Sequence, residues 1–275
     1  MAIIVNTNNL SQRIQSHQRE TQVGLRSSLN RLSTGRSLVS AADDPSGLSV
    51  ATNLNAQARS AHAAIRSAND GMSVISTAEG AANEFIEMLD RLRELAMQAA
   101  NGSYSDEARV PMQAEFNEIT NTHLKNIVHN THFNGVNIAG LTGSQLDVQV
   151  GTMGDDDGRI TINLADMRSA QSLVRSEDIG TQDGALAALD AIDASRDLVS
   201  EGRSHLGAAF NRLESSVAQM TTYAAGLEAA ASKIEDADFA AETAQMTRRQ
   251  MLSQTSLAML AQAKSMQTGV TTLFG

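Results

Sequence analysis

A heptad pattern of small and apolar residues runs from Ala51 to Ala99, with a single adjustment at Ala78. The alternating spacing of three and four residues is typical of a helix that packs along another helix over its whole length. At 1.5 Å per residue, a helix with this pattern would be roughly 75–80 Å long, which exceeds the size of an ordinary compact domain. The pattern therefore predicts a helical rod that belongs to a bundle or a coiled coil.

The second half of the chain carries a matching stripe. Helical spacing returns at Leu186 and becomes strict between Leu206 and Ile234. Because this stripe can be buried only against the first one, we expect the two halves of the chain to pair as antiparallel helices. The residues predicted for the rod seam are Leu54, Ile65, Met72, Ile75, Phe85, Leu89, Leu92, Leu206, Leu213, Val217, Leu227 and Ile234.

The two ends of the chain differ from the predicted rod. Roughly residues 7–33 predict an amphipathic helix that Gly35 closes. From Phe239 to Gly275, apolar residues occur nearly all round the helix, so burial is needed on more than one side. One partner helix of similar length cannot provide this burial, so we expect neighbouring copies of the chain to complete it. The residues predicted for this assembly are Leu10, Ile14, Leu25, Leu29, Leu32, Phe239, Met246, Leu257, Leu260, Val270 and Leu273.

Turn residues mark the ends of the predicted helices. Asn101-Gly102-Ser103 ends the first long helix, and a third helix is expected from Ser105 to about Asn130. The chain has only two prolines, Pro45 and Pro111. Because proline is tolerated in the first turn of a helix but not further inside, we expect both to mark helix starts.

The segment 131–182 has a different pattern from the rest of the chain. Gly-rich turns separate two runs of alternating residues, 145–150 and 159–164, and these predict a small β-hairpin. The fold class is therefore mainly α: a long antiparallel helical bundle or coiled-coil rod built from both chain halves, with this β-hairpin region in the middle. The middle segment has room for a hairpin but not for a large variable outer domain.

We expect two domains. Residues 1–42 and 236–275 are predicted to form a terminal helical domain of paired N- and C-terminal helices. Residues 43–235 are predicted to form the rod domain.

Charge and composition exclude several functions. The chain has no cysteine, which excludes disulfides, thiolate metal sites and a cysteine nucleophile. The net charge is -10, although the first 40 residues are net positive. An acidic surface disfavours nucleic acid as a partner, and nucleic acid or lipid remains a minor alternative for the basic N-terminal stripe. The apolar run at the N-terminus is shorter than a signal-peptide core, and no run approaches the length of a membrane span. We expect no membrane insertion.

Possible chemical sites are weak. His123, His129 and His132 lack a carboxylate at ligand spacing, so surface histidines are favoured over a metal site. The run from Asp155 to Gly158 lacks the twelfth-position Glu of a calcium loop, which favours a hairpin turn. No nucleotide-binding, metalloprotease or hydrolase motif is found. We therefore expect neither a cofactor nor a catalytic site, and an enzyme is the weakest of the alternatives.

Nine segments, spread over both halves of the chain, resemble bacterial flagellins in residues, order and spacing. They are SLNRLSTG at 28–35, SAADDPSGL at 40–48, RLRELAMQAANG at 91–102, THFNGV at 131–136, LGA at 206–208, NRLE at 211–214, SKIEDADFA at 232–240, MLAQA at 259–263 and VTTL at 270–273. The run Asn121-Thr122-His123 departs from the family pattern of Asn-Glu-Ile. This departure bears on the packing of the third helix rather than on the resemblance.

The resemblance implies a structural subunit that polymerises with itself into the bacterial flagellar filament for motility. A hook–filament junction protein, which shares the terminal seams, is the alternative. In the family, the terminal helices line the inner tube of the filament and are disordered in the free monomer. Implied partners are the flagellar export apparatus, a flagellin chaperone at the C-terminal segment, the filament cap and the hook-junction proteins. The implied location is the extracellular flagellum, reached without a cleaved signal peptide.

The resemblance also implies a recognition site. Arg91, Leu95 and Glu115 match positions by which a host Toll-like receptor of innate immunity recognises some flagellins. The alternative is a solvated helix face with one leucine in the seam. Both interpretations stay open at the level of sequence.

Overall fold

The computed structural model describes residues 8–139, 145–152 and 158–274, and for residues 267 and 270–274 it describes only the helical backbone. The chain divides into two compact units. The terminal unit comprises residues 1–57 and 226–275, and the central unit comprises residues 58–225.

Most described residues are helical. The elements, in chain order, are α1 Asn9–Thr34, α2 Pro45–Ala100, α3 Asp106–Glu118, a π-helical turn Ile119–His123, α4 Leu124–Asn130, β1 His132–Phe133, β2 Val136–Asn137, β3 Gln145–Gln149, β4 Arg159–Asn163, α5 Met167–Arg175, α6 Gln182–Glu235 and α7 Phe239–Phe274. The predicted fold class is confirmed, because long helices pack against each other and two small antiparallel strand pairs lie in the middle of the chain.

Local sequence signals explain the helix ends. The side chain of Asn8 accepts the Ser11 N–H at 2.9 Å at the start of α1, and Gly35 ends that helix in the left-handed conformation with φ 71°. Pro45 is the first residue of α2, as expected. Pro111 instead lies inside α3, so the expectation that it marks a helix start is wrong. Ser105 begins α3, because its side chain accepts the Ala108 N–H.

The central unit has an extensive apolar core, to which α2 and α6 both contribute. Three ion pairs join these helices: Arg93–Asp193 at 3.0 Å, Asp90–Arg196 at 3.5 Å and Glu79–Arg203 at 2.9 Å. Residue numbers rise along α2 as they fall along α6, so the two helices are antiparallel. The largest fully buried side chains of the described residues all belong to this unit; they are Ile75, Phe85, Leu89, Leu92, Phe116, Leu124, Ile162, Met167, Ile179, Ile192, Leu206 and Leu213.

The predicted β-hairpin is present. β3 and β4 pair antiparallel from Gln145 opposite Asn163 to Gln149 opposite Arg159. Val148, Ile160 and Ile162 alternate onto the buried face, as the period of two requires. Residues 155–157 of the possible calcium loop lie outside the described part of the chain.

A second, shorter hairpin was not expected. β1 and β2 pair across Asn134 and Gly135, whose φ angles are 48° and 81°. Positive φ at both positions is what a type I′ turn requires, and Asn-Gly is the residue pair that tolerates it best. The signal was therefore present in the sequence.

Helix α5 was also missed, because the segment 131–182 was interpreted as β structure throughout. The side chain of Asp166 accepts the Ser169 N–H at 3.0 Å and begins the helix. Met167, Ala170 and Val174 are buried at helical spacing.

The third predicted helix is interrupted by the π-helical turn Ile119–His123, where the sequence departs from the flagellin pattern. Within this turn, the carbonyl oxygen of Thr120 accepts a hydrogen bond from Gln171 Nε2 of α5 at 3.1 Å. Arg175 Nε of the same helix donates to Asn121 Oδ1 at 3.3 Å. The wider turn is therefore held by polar contacts from α5.

Candidate assembly surface

Polar side chains connect α1 to α7 within the terminal unit. Nη1 of Arg249 donates to the carbonyl oxygen of Gly24 and to Oγ of Ser28, both at 2.5 Å. Two further hydrogen bonds join the same helices: Gln18 Nε2 to Ser253 Oγ at 3.3 Å, and Asn8 Nδ2 to the Ala263 carbonyl oxygen at 3.1 Å. The two helices are antiparallel, and hydrogen bonds define their alignment.

The contact between α1 and α7 buries few apolar side chains. The buried side chains of these two helices, among those described, are Ser11, Ser28 and Ala263. Large apolar side chains of both helices are instead exposed; they are Leu10, Val23, Leu29, Phe239, Met251, Leu252, Leu257, Met259 and Met266. A helix pair with this distribution exposes a broad apolar surface to water, which is typical of a surface that binds another protein.

An open groove of ≈ 910 Å³ lies along α7. Phe239 flanks one end, and Met251 and Leu252 flank the other. Small side chains form the middle, including Ala240 and Ala244. Because small side chains lie between large ones, this face has a depression into which an apolar helix could pack.

The two segments that connect the helices of the terminal unit pair with each other. The Ser37 N–H donates to the Glu235 carbonyl oxygen at 2.6 Å, and the Ala237 N–H donates to the Gly35 carbonyl oxygen at 2.9 Å. Arg36 and Asp236 form an antiparallel β-bridge between these bonds. This pairing holds the end of α1 close to the start of α7.

The side chain of Glu235 is buried where these connecting segments meet. Asn55 Nδ2 donates to its Oε1 at 3.2 Å, and Arg36 Nε lies 3.7 Å from its Oε2. Close by, Asp43 accepts the Ser40 N–H at 3.0 Å. This hydrogen bond lowers the pKa of the Asp43 carboxyl, with further contributions from Val39, the Ser40 hydroxyl and Arg31 that outweigh its partial desolvation.

The residues predicted for terminal assembly divide into two groups. Half-buried side chains are Ile14, Leu25, Leu32, Met246 and Leu260, and exposed side chains are Leu10, Leu29, Phe239 and Leu257. The side chains of Val270 and Leu273 lie outside the described residues.

The residues predicted for the rod seam are all at least half-buried. Fully buried are Ile75, Phe85, Leu89, Leu92, Leu206 and Leu213, and half-buried are Leu54, Ile65, Met72, Val217, Leu227 and Ile234. Leu54, Leu227 and Ile234 belong to the terminal unit, and the others belong to the central unit.

The three residues of the possible receptor site differ in exposure. Arg91 and Glu115 are exposed and joined by two hydrogen bonds, at 3.0 Å from Nε and 2.5 Å from Nη2 to the same Oε1. This contact raises the pKa of Arg91, and a hydrogen bond to Glu94 adds to the effect. Leu95 is only 3% exposed and belongs to the core of the central unit. A receptor could therefore reach Arg91 and Glu115 but not the side chain of Leu95.

No described helix is long and apolar enough to cross a membrane. His123, His129 and His132 are exposed. Within the described ranges, no group of three or more histidine, aspartate or glutamate side chains is arranged to hold a metal ion.

Four structurally important residues were not predicted from the sequence: Gly24, Arg109, Glu235 and Arg249. Arg109 is 4% exposed and donates to the carbonyl oxygens of Ala99 at 2.7 Å and Asn101 at 3.2 Å, which caps the end of α2. Gly24 carried a detectable signal, because it is the only glycine of α1. Glu235 and Arg249 carried none, because their partners are distant in sequence, and Arg109 carried none, because its carbonyl partners lie on the other side of a turn.

This arrangement defines a class of protein. The central unit has its own apolar core, whereas the paired terminal helices expose large apolar side chains. The molecule is therefore a helical structural subunit of the kind that forms extended assemblies.

Comparisons with known proteins identify the family. The family model for the bacterial flagellin N-terminal helical region matches residues 5–143, and that for the C-terminal helical region matches residues 189–274. A flagellin of Halalkalibacterium halodurans is 36% identical, over 86% of this chain and 86% of that protein. A flagellin of Listeria innocua is 32% identical, over 94% of this chain and 95% of that protein. A flagellar filament 31.3 kDa core protein of Treponema maltophilum is 34% identical, over 89% of this chain and 90% of that protein.

A crystal structure of Bacillus cereus flagellin aligns with a TM-score of 0.49 and 23% identity, over 56% of this chain and 88% of that chain. The family assignment rests on the sequence relatives and the family models. The chain belongs to the bacterial flagellin family, and it is a structural subunit of the flagellar filament. Of the two alternatives from sequence, the filament subunit is therefore preferred to the junction protein.

Proposed function

We propose that the exposed apolar faces of α1 and α7 bind neighbouring copies of this chain, so that the terminal unit becomes fully ordered only in the filament. One observation carries this proposal: the described side chains of α1 and α7 bury no residue larger than alanine from the apolar class, while nine large apolar side chains of the same helices are exposed. Fully burying a side chain of this size contributes about 1.5–3 kcal/mol. Most of the stability of the pair would thus come from neighbouring subunits.

We propose domain boundaries at the helix breaks, with residues 1–42 and 236–275 as the terminal domain and residues 43–235 as the rod. The boundaries of the two compact units fall inside α2 and α6, but both of these helices are continuous. A change in angle between domains is easier at the interruptions after Thr34 and after Glu235 than within a helix.

The same apolar faces suggest how the chain leaves the cell. A terminal unit that is weakly ordered alone would pass unfolded through the flagellar export apparatus, without a cleaved signal peptide. Before export, the exposed face of α7 would be covered by a flagellin chaperone. At the filament ends, the same terminal faces would contact the cap and the hook-junction proteins. We propose no catalytic activity and no cofactor.

A host Toll-like receptor is a second proposed partner. Arg91 and Glu115 form an exposed charged pair on α2 and α3, which a receptor could reach. Leu95, beneath this surface, would act by holding the two helices in place. Receptor activation by Arg91→Ala beside the parent protein tests this proposal, and equal activation by both would contradict a direct role for Arg91.

Deletion of residues 1–35 tests the assembly proposal. The shortened protein is expected to keep a folded central unit, because the buried large side chains of that unit remain, but not to elongate filament seeds. Circular dichroism would measure folding, and electron microscopy of seeded samples would measure growth. The full-length chain is the control, and growth of the shortened chain at the parental rate would contradict the proposal.

A further inference from the structure

Gly24 and Arg249 bring α1 and α7 into close contact. A Cβ added to Gly24 would lie 2.9 Å from Nε and 3.1 Å from Cζ of Arg249, closer than such atoms normally approach. The guanidinium crosses the backbone of α1 at this point and donates to the Gly24 carbonyl oxygen and to Ser28 Oγ. Ser28 is completely buried. A side chain at residue 24 would therefore force the guanidinium to shift from this position.

Apolar packing alone would not define how α1 aligns with α7. The few buried residues of the pair are small, and apolar contacts have no directional preference. Sliding α7 by one helical turn, about 5.4 Å, would break directional contacts instead: the backbone pairing of Ser37 with Glu235 and of Ala237 with Gly35, and the hydrogen bonds from Asn8 and Gln18. Arg249 adds a charged contact to this set.

The Arg249 contact constrains this alignment further. α1 contains one glycine, so a shift in either direction would place Arg249 against a residue that has a side chain. The guanidinium would also lose its two acceptors in a partly buried position, where an unpaired charged group is costly. A single polar residue can set the alignment of paired helices in this way even where it contributes little to their stability.

We propose that Arg249 and Gly24 form a register key, a contact that selects one alignment of α1 against α7 when the subunit joins a filament. The inference rests on the proposed assembly of the terminal unit, and it adds which residues determine the geometry of the assembling pair. Arg249 and Gly24 are positioning residues for the apolar faces that neighbouring subunits would cover.

The substitution Gly24→Ala gives a test in which two explanations predict opposite signs. Alanine is the better helix former, so a purely local role predicts equal or better filament growth. The register key predicts that the critical concentration for growth on parental seeds rises about tenfold, because the added methyl group displaces the guanidinium. Gly226→Ala is the matched control, because no atom lies within 4 Å of the Cβ it would add.

Cross-linking tests the alignment itself. The chain has no native cysteine, so a bismaleimide reports only on introduced pairs. In parental filaments, Gln18→Cys with Ser253→Cys is expected to cross-link about tenfold better than Gln18→Cys with Ser256→Cys, which reports a one-turn shift. The additional substitution Arg249→Ala removes the cation without adding bulk. It is expected to bring the two yields to within about twofold of each other.

The double variant Gly24→Ala with Arg249→Ala separates the close contact from other effects. It is expected to grow like Arg249→Ala alone, because the new methyl group no longer meets a guanidinium. A double variant that grows worse than both single variants would overturn the proposal, because all three lack the same contact, as would unimpaired growth of Gly24→Ala or a parental cross-linking ratio in Arg249→Ala. Failure of the assembly proposal is distinguishable, because it appears as growth after deletion of residues 1–35.

Discussion

The central and terminal units differ in how completely they bury their large apolar side chains. The central unit buries large residues such as Phe85, Phe116 and Ile192 completely within one chain. The terminal unit joins α1 to α7 through hydrogen bonds and exposes residues such as Phe239 and Met251. Among the described residues, α1 and α7 are therefore joined mainly by polar contacts, whereas α2 and α6 share a large apolar core in addition to three ion pairs.

The largest expected effect of this difference is on hydrogen exchange. In the monomer, amides of α1 and α7 are expected to exchange at least about a thousandfold faster than those of residues 81–99, because few buried contacts protect the terminal pair. Mass spectrometry of the monomer and of assembled filaments would measure both sets. In filaments, the difference in exchange rate between these two sets of amides should become much smaller. Equal protection in the monomer would break the comparison.

Two phenylalanine substitutions sharpen the comparison at single residues. Phe85 is completely buried, so Phe85→Ala is expected to lower the free energy of unfolding of the monomer by about 3–5 kcal/mol. Phe239 is 67% exposed, so Phe239→Ala is expected to change it by less than about 0.5 kcal/mol.

Chemical denaturation followed by circular dichroism would measure both free energies, and seeded elongation would measure assembly. Phe239→Ala is expected to slow elongation in spite of its small effect on the monomer. A large loss of monomer stability in Phe239→Ala would show that α7 has a buried core position after all.

A smaller effect is expected from a glycine in the core of the central unit. A Cβ at Gly202 would lie 2.5 Å from Cβ and 2.6 Å from Cα of Ala165, so Gly202→Ala is expected to lower the unfolding free energy by about 1–3 kcal/mol. The control, Gly207→Ala, meets no atom within 4 Å and should raise it by up to about 1 kcal/mol. Thermal unfolding of both variants would test the prediction, and a gain in Gly202→Ala would contradict it.

The smallest effect concerns pH. The Ser40 N–H lowers the pKa of Asp43, so the contribution of this carboxylate to stability is complete above its unfolded-state pKa. The contribution is lost as pH falls through the lower pKa of the folded state. NMR titration of the filament-free monomer should show Asp43 titrating at lower pH than in an unfolded peptide. Asp43→Asn should flatten the acid side of the stability profile, and an unchanged profile would contradict this role.

Local patterns in the sequence predicted most of the fold. The stop of α1 at Gly35, the start of α7 at Phe239 and the pairing of β3 with β4 all follow from signals within a few residues. The same kind of signal existed for α5, where Asp166 begins a helix with buried residues at helical spacing. It was missed because a short helix beside two strands offers only one buried stripe against a background of turn residues.

The candidate assembly surface could be predicted only in part. The apolar character of α7 on all sides indicated that a lone molecule would leave some of it exposed, and the structure has Phe239 and Leu257 in that position. At the possible receptor site, the motif match alone did not distinguish exposed from buried residues, whereas the alternative of a solvated helix face with one seam leucine describes the exposed Arg91 and the buried Leu95.

By itself, the sequence determined the long helices α1, α2, α6 and α7, where most of them end, and that α7 carries apolar residues nearly all round. Those properties depend on residue spacing along one helix, which a linear pattern records. Only the tertiary structure decided that Arg249 fits against Gly24, that Arg109 caps α2 and that Glu235 lies between Arg36 and Asn55. The contacts of Arg249 and Glu235 depend on how segments distant in sequence align, and the Arg109 cap depends on how α3 turns back against the end of α2, so the residue spacing along one helix records none of them.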